Sequence, residues 1–123
     1  MMSSYAKQYG SSGEERVCHI LQDQGFTILA RNYLTRGGEL DVIARKHDLV
    51  VFVEVKTRAK SLFDLSTVIT HAKQHKMIQT AEQFLVSHRL EDVECRFDAA
   101  LLESDEYGTS HLTYLSDAFQ REW

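Results

Sequence analysis

The chain contains no proline, where average usage of about 5% would give about six. Its turns must therefore rely on Gly, Asn, Asp and Ser. Cysteine is scarce too. Cys18 and Cys95 are the only two, too few for a disulfide framework and at no zinc-motif spacing. A reduced, cytoplasmic setting is the expectation. Long hydrophobic runs are also missing. The longest unbroken one, Leu49–Val53, is of strand length, far short of the roughly 20 residues of a membrane span. The amino end, MMSSYAKQYGSSGEER, lacks the apolar core of a secretory signal. Nor is there an excess of positive charge. The net charge of −4 argues against a strong non-specific nucleic-acid binder.

What is there is ordinary globular material. The 123 residues are 43% hydrophobic and 26% charged, which excludes collagen-like, low-complexity and largely disordered chains. No linker, repeat or composition break divides them, so residues 1–123 are expected to form one domain. The charge is unevenly spread. Residues 1–90 carry twelve Lys/Arg and nine Asp/Glu, a balance of +3, whereas residues 91–123 carry two and nine, a balance of −7. The basic residues gather between Arg31 and Lys76. They form either a solvated surface or one face that meets phosphates.

Hydrophobic periodicity orders the elements. Ser3 to about Gln24 reads as a helix, with Val17, Ile20, Leu21 and Gln24 at helical spacing and Gly25 as its stop. Gly10 and Gly13 weaken its first part, so the regular helix could begin at Ser11 or Ser12, placing Glu14 and Glu15 in its first turn. Three β-rich runs follow, Phe26–Leu34, Glu39–Arg45 and Leu49–Thr57, with turns at Gly37-Gly38 and His47-Asp48. The third is apolar on both faces, as a central strand should be. After a loop at 61–67, a second helix is expected from about Val68 to His88. Its apolar stripe is Met77, Ile78, Ala81, Phe84 and Leu85. Strands at about Glu94–Leu102 and His111–Leu115 complete the pattern, and Asp117–Phe119 could open a short closing helix. The order αβββαββ predicts a small α/β (α+β) fold, a sheet of about five strands flanked by helices.

Glu54 stands inside the most apolar segment, VVFVEVK. A carboxylate there costs several kcal/mol unless it is paired or bound to a cation. Lys56 shares its face because the strand period is two, and Glu39 and Asp41 share a face on the preceding strand by the same rule. Pairing across the His47-Asp48 turn brings Asp41 near Glu54. A plain ion pair with Lys56 is one reading of the group. The other starts from two carboxylates facing one lysine, which leaves a negative charge unmatched. Like charges a few Å apart resist joint ionisation. A divalent cation, Mg²⁺ or Mn²⁺, held by Asp41, Glu54 and a main-chain carbonyl such as that of Val55, resolves this. Glu14 lies on the buried stripe of the first helix with Val17, Cys18 and Leu21. It is either a third ligand or a helix-start carboxylate. His71 and His75, at i and i+4, read as polar surface because no acidic third ligand is near them in sequence.

Gly13-Glu14, ARNYLTRGGELDVIAR, VVFVEVKTR, Lys73 ahead of AEQFL, and RFDAAL together resemble the YraN-like bacterial family of the restriction-endonuclease-like, PD-(D/E)XK, superfamily. The resemblance runs from about Tyr9 to Phe119. Archaeal Holliday-junction resolvases are similar in length, element order and motif placement. The family's D…E-x-K set falls on Asp41, Glu54 and Lys56, and its helix-one Glu on Glu14. The resemblance implies metal-dependent hydrolysis of DNA phosphodiester bonds, in branched or otherwise structured DNA. Asp41, Glu54, Val55 and Glu14 would hold one or two Mg²⁺ ions, and Lys56 would act on the water and the transition state. Arg36, Arg58, Lys60 and Lys73 would contact backbone phosphates, which position but do not specify. Glu39 would be a supporting group or a sheet-edge charge. A homodimer with two active sites would suit branched DNA. The alternative is a non-catalytic nucleic-acid-binding or scaffold domain that keeps the fold.

Overall fold

A computed structural model describes residues 3–59 and 69–121. Lys60, the predicted loop at 61–67 and the predicted helix start at Val68 lie outside the described residues. Among the described residues, two helices and five strands follow in the predicted order: α1 (Ser3–Asp23), β1 (Thr27–Thr35), β2 (Gly38–Lys46), β3 (Leu49–Ala59), α2 (His71–Ser87), β4 (Glu94–Ser104) and β5 (Ser110–Phe119). The strands form one mixed sheet in sequence order. β1, β2 and β3 pair antiparallel, β3 and β4 pair parallel, and β4 and β5 pair antiparallel. The parallel pair needs a crossover, and α2 lies in the chain between its two strands.

The sheet separates two apolar layers. On one side α2 sets Met77, Ala81 and Phe84 against Leu40, Ile43, Val50, Phe52 and Phe97. On the other, α1 sets Val17, Cys18 and Leu21 against Val42, Ala44, Val51, Val53 and Ala100. β3 therefore contributes to both layers, which is why its sequence does not alternate between apolar and polar. Among the described residues, no helix is long and apolar enough to cross a membrane.

α1 ends as its glycine predicts. Gly25 takes φ 95°, and the N–H groups of Gly25 and Phe26 return to the carbonyls of Gln22 and Leu21 at 3.0 and 2.9 Å. This pair of bonds is the Schellman arrangement. Two expectations fail. α1 runs unbroken through Gly10 and Gly13, so Glu14 stands in the body of the helix and not in its first turn. Asp117, Ala118 and Phe119 belong to β5 and open no helix. Phe119 pairs with Phe97 across the ladder and stacks on its ring at 4.9 Å, so extending the strand buries the ring.

Candidate active site

Alternation along β3 puts Val50, Phe52, Glu54 and Lys56 on the α2 side, because Val50 and Phe52 pack in that layer. Glu54 is only 5% exposed. Lys56 lies on the same side, its Nζ 3.6 Å from Glu54 Oε2. A second lysine reaches the same oxygen: Lys73, from the first turn of α2, forms an ion pair with Glu54 Oε2. The neighbouring Lys73 ammonium, and then burial, hold Lys56 below the usual lysine range. Burial works against the charge of Lys73, but its bond to the Glu54 carboxylate holds it above that range.

Asp41 sits where β2 departs from β3. The β2–β3 ladder runs from Lys46 opposite Leu49 to Val42 opposite Val53. One residue further, the Asp41 side chain takes over, its Oδ2 accepting the Val55 N–H at 2.7 Å. Side-chain alternation breaks at the same place. Leu40 packs in the α2-side layer and Val42 in the α1-side layer, although residues two apart on a regular strand share a face. Glu39 is exposed at the start of β2. The bend leaves Asp41 beside Glu54. Burial, and then the Glu54 carboxylate, push its pKa up to about 7.

Glu14 approaches from the α1 side. The neighbouring Gly13 makes this approach close. A Cβ there would lie 3.3 Å from both Thr57 Oγ1 and Val55 Cγ1, so the missing side chain lets α1 lie directly on β3. Glu14 Oε1 accepts from Asn32 Nδ2 at 3.1 Å and faces Arg31 Nη2 at 3.5 Å. Asn32 adopts φ 52°, a left-handed conformation that Asn tolerates better than most residues. By register it faces Asp41 across β1 and β2, between the Arg31–Val42 and Tyr33–Leu40 pairs. The charge of Glu14 contributes to the upward shift of Asp41.

These residues suit a hard cation in part. Asp41 and Glu54 are adjacent carboxylates. A strand residue's N–H and C=O point to the same side, so the Val55 carbonyl faces the gap that its N–H shares with Asp41. Glu14 is held slightly apart by Asn32 and Arg31. Among the described residues, no three His, Cys, Asp or Glu side chains are already gathered as a cation cage. The charge balance also differs from expectation. The sequence sets one lysine against the carboxylates, whereas the fold brings Lys73 as a second.

The basic residues divide. Lys73 points into the site and, with Lys76, Thr70, Gly38, Glu39 and Met77, lines a cavity of about 320 Å³. Arg36 is exposed at the end of β1, and Arg58 is exposed on β3 with the parity of Glu54 and Lys56. His71 and His75 are exposed, as read. A roomier cavity, about 540 Å³, lies at the other end of β3 and β4, between Leu49, Glu94, Phe97 and Phe119, and is lined by none of these carboxylates.

The partners of the carboxylates were less legible than the carboxylates themselves. Asn32 in the middle of a β-rich run was the signal for one, since Asn is depleted in strands. Lys73 reads in the sequence as a phosphate contact and not as a partner of Glu54, because only the packing of α2 brings it there. A second buried carboxylate, Asp98, also escaped. It is 0% exposed and accepts from Arg96 Nε and Nη2 at 2.9 Å each, Tyr114 Oη at 2.6 Å and the Asp117 N–H at 2.8 Å.

Comparison with known proteins places the chain. It is 39% identical to a UPF0102 protein of Chlorobium phaeobacteroides over 98% of this chain and 100% of the relative. A UPF0102 protein of Nitrosomonas europaea is 39% identical over 94% of this chain and 97% of the relative. One from Treponema pallidum is 37% identical over 97% and 98%. Residues 13–102, the stretch from the close-packed glycine of α1 through most of β4, match the family described as Uncharacterised protein family UPF0102. With β1 to β3, α2 and every carboxylate of the site inside that stretch, the chain belongs to the UPF0102 family.

Proposed function

We propose that the protein is a Mg²⁺- or Mn²⁺-dependent cytoplasmic nuclease that hydrolyses phosphodiester bonds in DNA, branched or structured DNA included. The observation that carries this reading is the Asp41–Glu54 pair at the open end of the β2–β3 ladder, with Lys56 3.6 Å from Glu54. Asp41 and Glu54 would hold the cation, with the Val55 carbonyl beside them and Glu14 as the third carboxylate. A divalent cation there supplies Lewis-acid polarisation of the phosphate and a water of lowered pKa. Lys56 presents an ammonium from the Glu54 face, where it orients the attacking water and offsets charge developing on the phosphate. Arg36, Arg58, Lys60 and Lys76 would meet flanking phosphates, and Lys73 would act from inside the site. Two copies in a homodimer would suit a branched substrate with two strands to cut.

One observation favours a second reading, a non-catalytic nucleic-acid-binding or scaffold domain. Two lysines already balance Glu54, and no three-ligand cage exists among the described residues. A cleavage screen with Mg²⁺ and Mn²⁺ separates the two, using single-stranded, duplex, flap and four-way-junction DNA and RNA. The nuclease reading expects cutting of at least one substrate. Asp41→Ala should lose both Mn²⁺ binding and cleavage. Lys56→Met should keep Mn²⁺ binding and lose cleavage by about 10²–10³-fold. Wild type that binds DNA and cuts nothing in the screen establishes the binding-domain reading instead.

A further inference from the structure

We propose that the protein binds a second copy of itself edge to edge through β5, joining two five-stranded sheets into one. The inference comes from the edges of the sheet and stands whether or not the protein cuts DNA. Among the described residues, β1 and β5 are the outer strands. An outer strand presents a row of N–H and C=O groups able to pair with another chain. The two edges differ. β1 is guarded. Its register breaks between Ile28 and Ala30, Asn32 turns to φ 52°, and Arg31 is held beside Glu15 and Glu14 of α1. Bulges and charges of this kind keep a strand from recruiting a partner. β5 is unguarded from Ser110 to Leu115. That stretch keeps unbroken register with β4 and contains no Lys, Arg, Asp or Glu. Irregularity begins only beyond it, at Asp117 with φ 56°.

A second copy suits this edge because the edge complements itself. Antiparallel pairing about a two-fold axis through Thr113 sets Leu112 of each copy opposite Tyr114 of the other, and Thr113 opposite its own counterpart. Leu112 and Tyr114 are half-buried against the α1-side layer, so the pairing continues that layer across the axis. His111 falls opposite Leu115, so no like charges meet along the stretch. The acidic turns carrying Asp105 and Glu106 lie at opposite ends of the paired strands, further apart than the ~8 Å over which charges interact at physiological salt. Joining the two β5 edges leaves only the guarded β1 edges outside, so the assembly closes at two copies.

Sedimentation equilibrium of the full-length protein over a concentration series provides the test. Wild type should show a monomer–dimer equilibrium and no larger species. Thr113 is exposed, so Thr113→Lys should keep the fold while setting two like charges against each other on the axis. Its dimer dissociation constant should rise by about 5-fold or more. Leu34→Lys, at an exposed position on the guarded β1 edge, should leave that constant unchanged. Thr113→Cys combined with Cys95→Ser should form an intersubunit disulfide under mild oxidation, because directly opposed strand residues lie within disulfide reach. That readout decides the matter if circular dichroism finds Thr113→Lys unfolded. Monomer at every concentration overturns the inference. So does a dimer that folded Thr113→Lys leaves intact, one that Leu34→Lys weakens equally, or one that Thr113→Cys leaves unlinked.

Discussion

Two buried acidic sites lie on adjacent strands, and they behave as opposites. Asp98 on β4 is enclosed and fully served: two bonds from Arg96, one from Tyr114 and one from a backbone N–H. The last of these pins the irregular step in β5, where the register shifts between Phe97 and Ala99 and Asp117 turns to φ 56°. Asp41 and Glu54 lie instead beside each other, and burial, and then the Glu54 charge, drive Asp41 up to about 7. Burial alone therefore does not mark a functional carboxylate. The partners do: donors on several sides make a structural anchor, and a buried carboxylate held beside another, with one donor, makes a place that attracts a proton or a cation.

The largest expected effect breaks the anchor. Asp98→Ala leaves the Arg96 charge and the Tyr114 hydroxyl without their acceptor, and should cost about 3–5 kcal/mol in urea unfolding. A loss under about 1 kcal/mol would remove the contrast between the two sites.

The next effect is a pH dependence at Asp41. Its folded pKa of about 7 lies above the ordinary 3.8, so the folded chain retains a proton that the unfolded chain has released. The associated stabilisation is complete below about pH 4 and is lost as pH rises through 7. The metal-free protein should weaken by on the order of 2–4 kcal/mol over that window. Asp41→Asn should flatten most of the slope, and a slope unchanged in that variant would show that another group is responsible.

Tyr114→Phe sharpens the anchor. It removes one bond to a charged acceptor, at 2.6 Å, and should cost about 1.5–3 kcal/mol by thermal or urea unfolding. The smallest effect belongs to Glu54→Gln in metal-free protein. Relief of repulsion from Asp41 opposes the loss of two partly exposed lysine pairs, so stability should change by less than about 1 kcal/mol. A cost as large as that of Asp98→Ala would make Glu54 a second anchor and favour the ion-pair reading.

Much of this was legible in the chain. Helix and strand periods located the described helices and strands, because α1 and α2 each bury one face and β3 buries two. The misreadings share a cause. Gly10 and Gly13 offered a later start at Ser11 or Ser12, yet α1 runs from Ser3 through both, and packing on β3 favours the small residue at Gly13. Asp117–Phe119 read as a helix start, yet a cross-strand ring stack and the Asp98 carboxylate draw it into β5. Local preference was overruled each time by contacts with residues distant in sequence.

The same division holds at the site. The sequence by itself determined that Glu54 would be buried, since no other place exists for a residue within VVFVEVK. It also determined that Lys56 would share its face and that a tight turn would return Asp41 to its side. These follow from the two-residue period and the length of the turn. Only the tertiary structure decided that β2 would bend at Asp41, that Gly13 would let Glu14 come close and that Lys73 would claim an oxygen of Glu54. Each of those depends on how a helix docks on the sheet. Docking is fixed by the summed packing of two apolar layers, which no local stretch of sequence encodes.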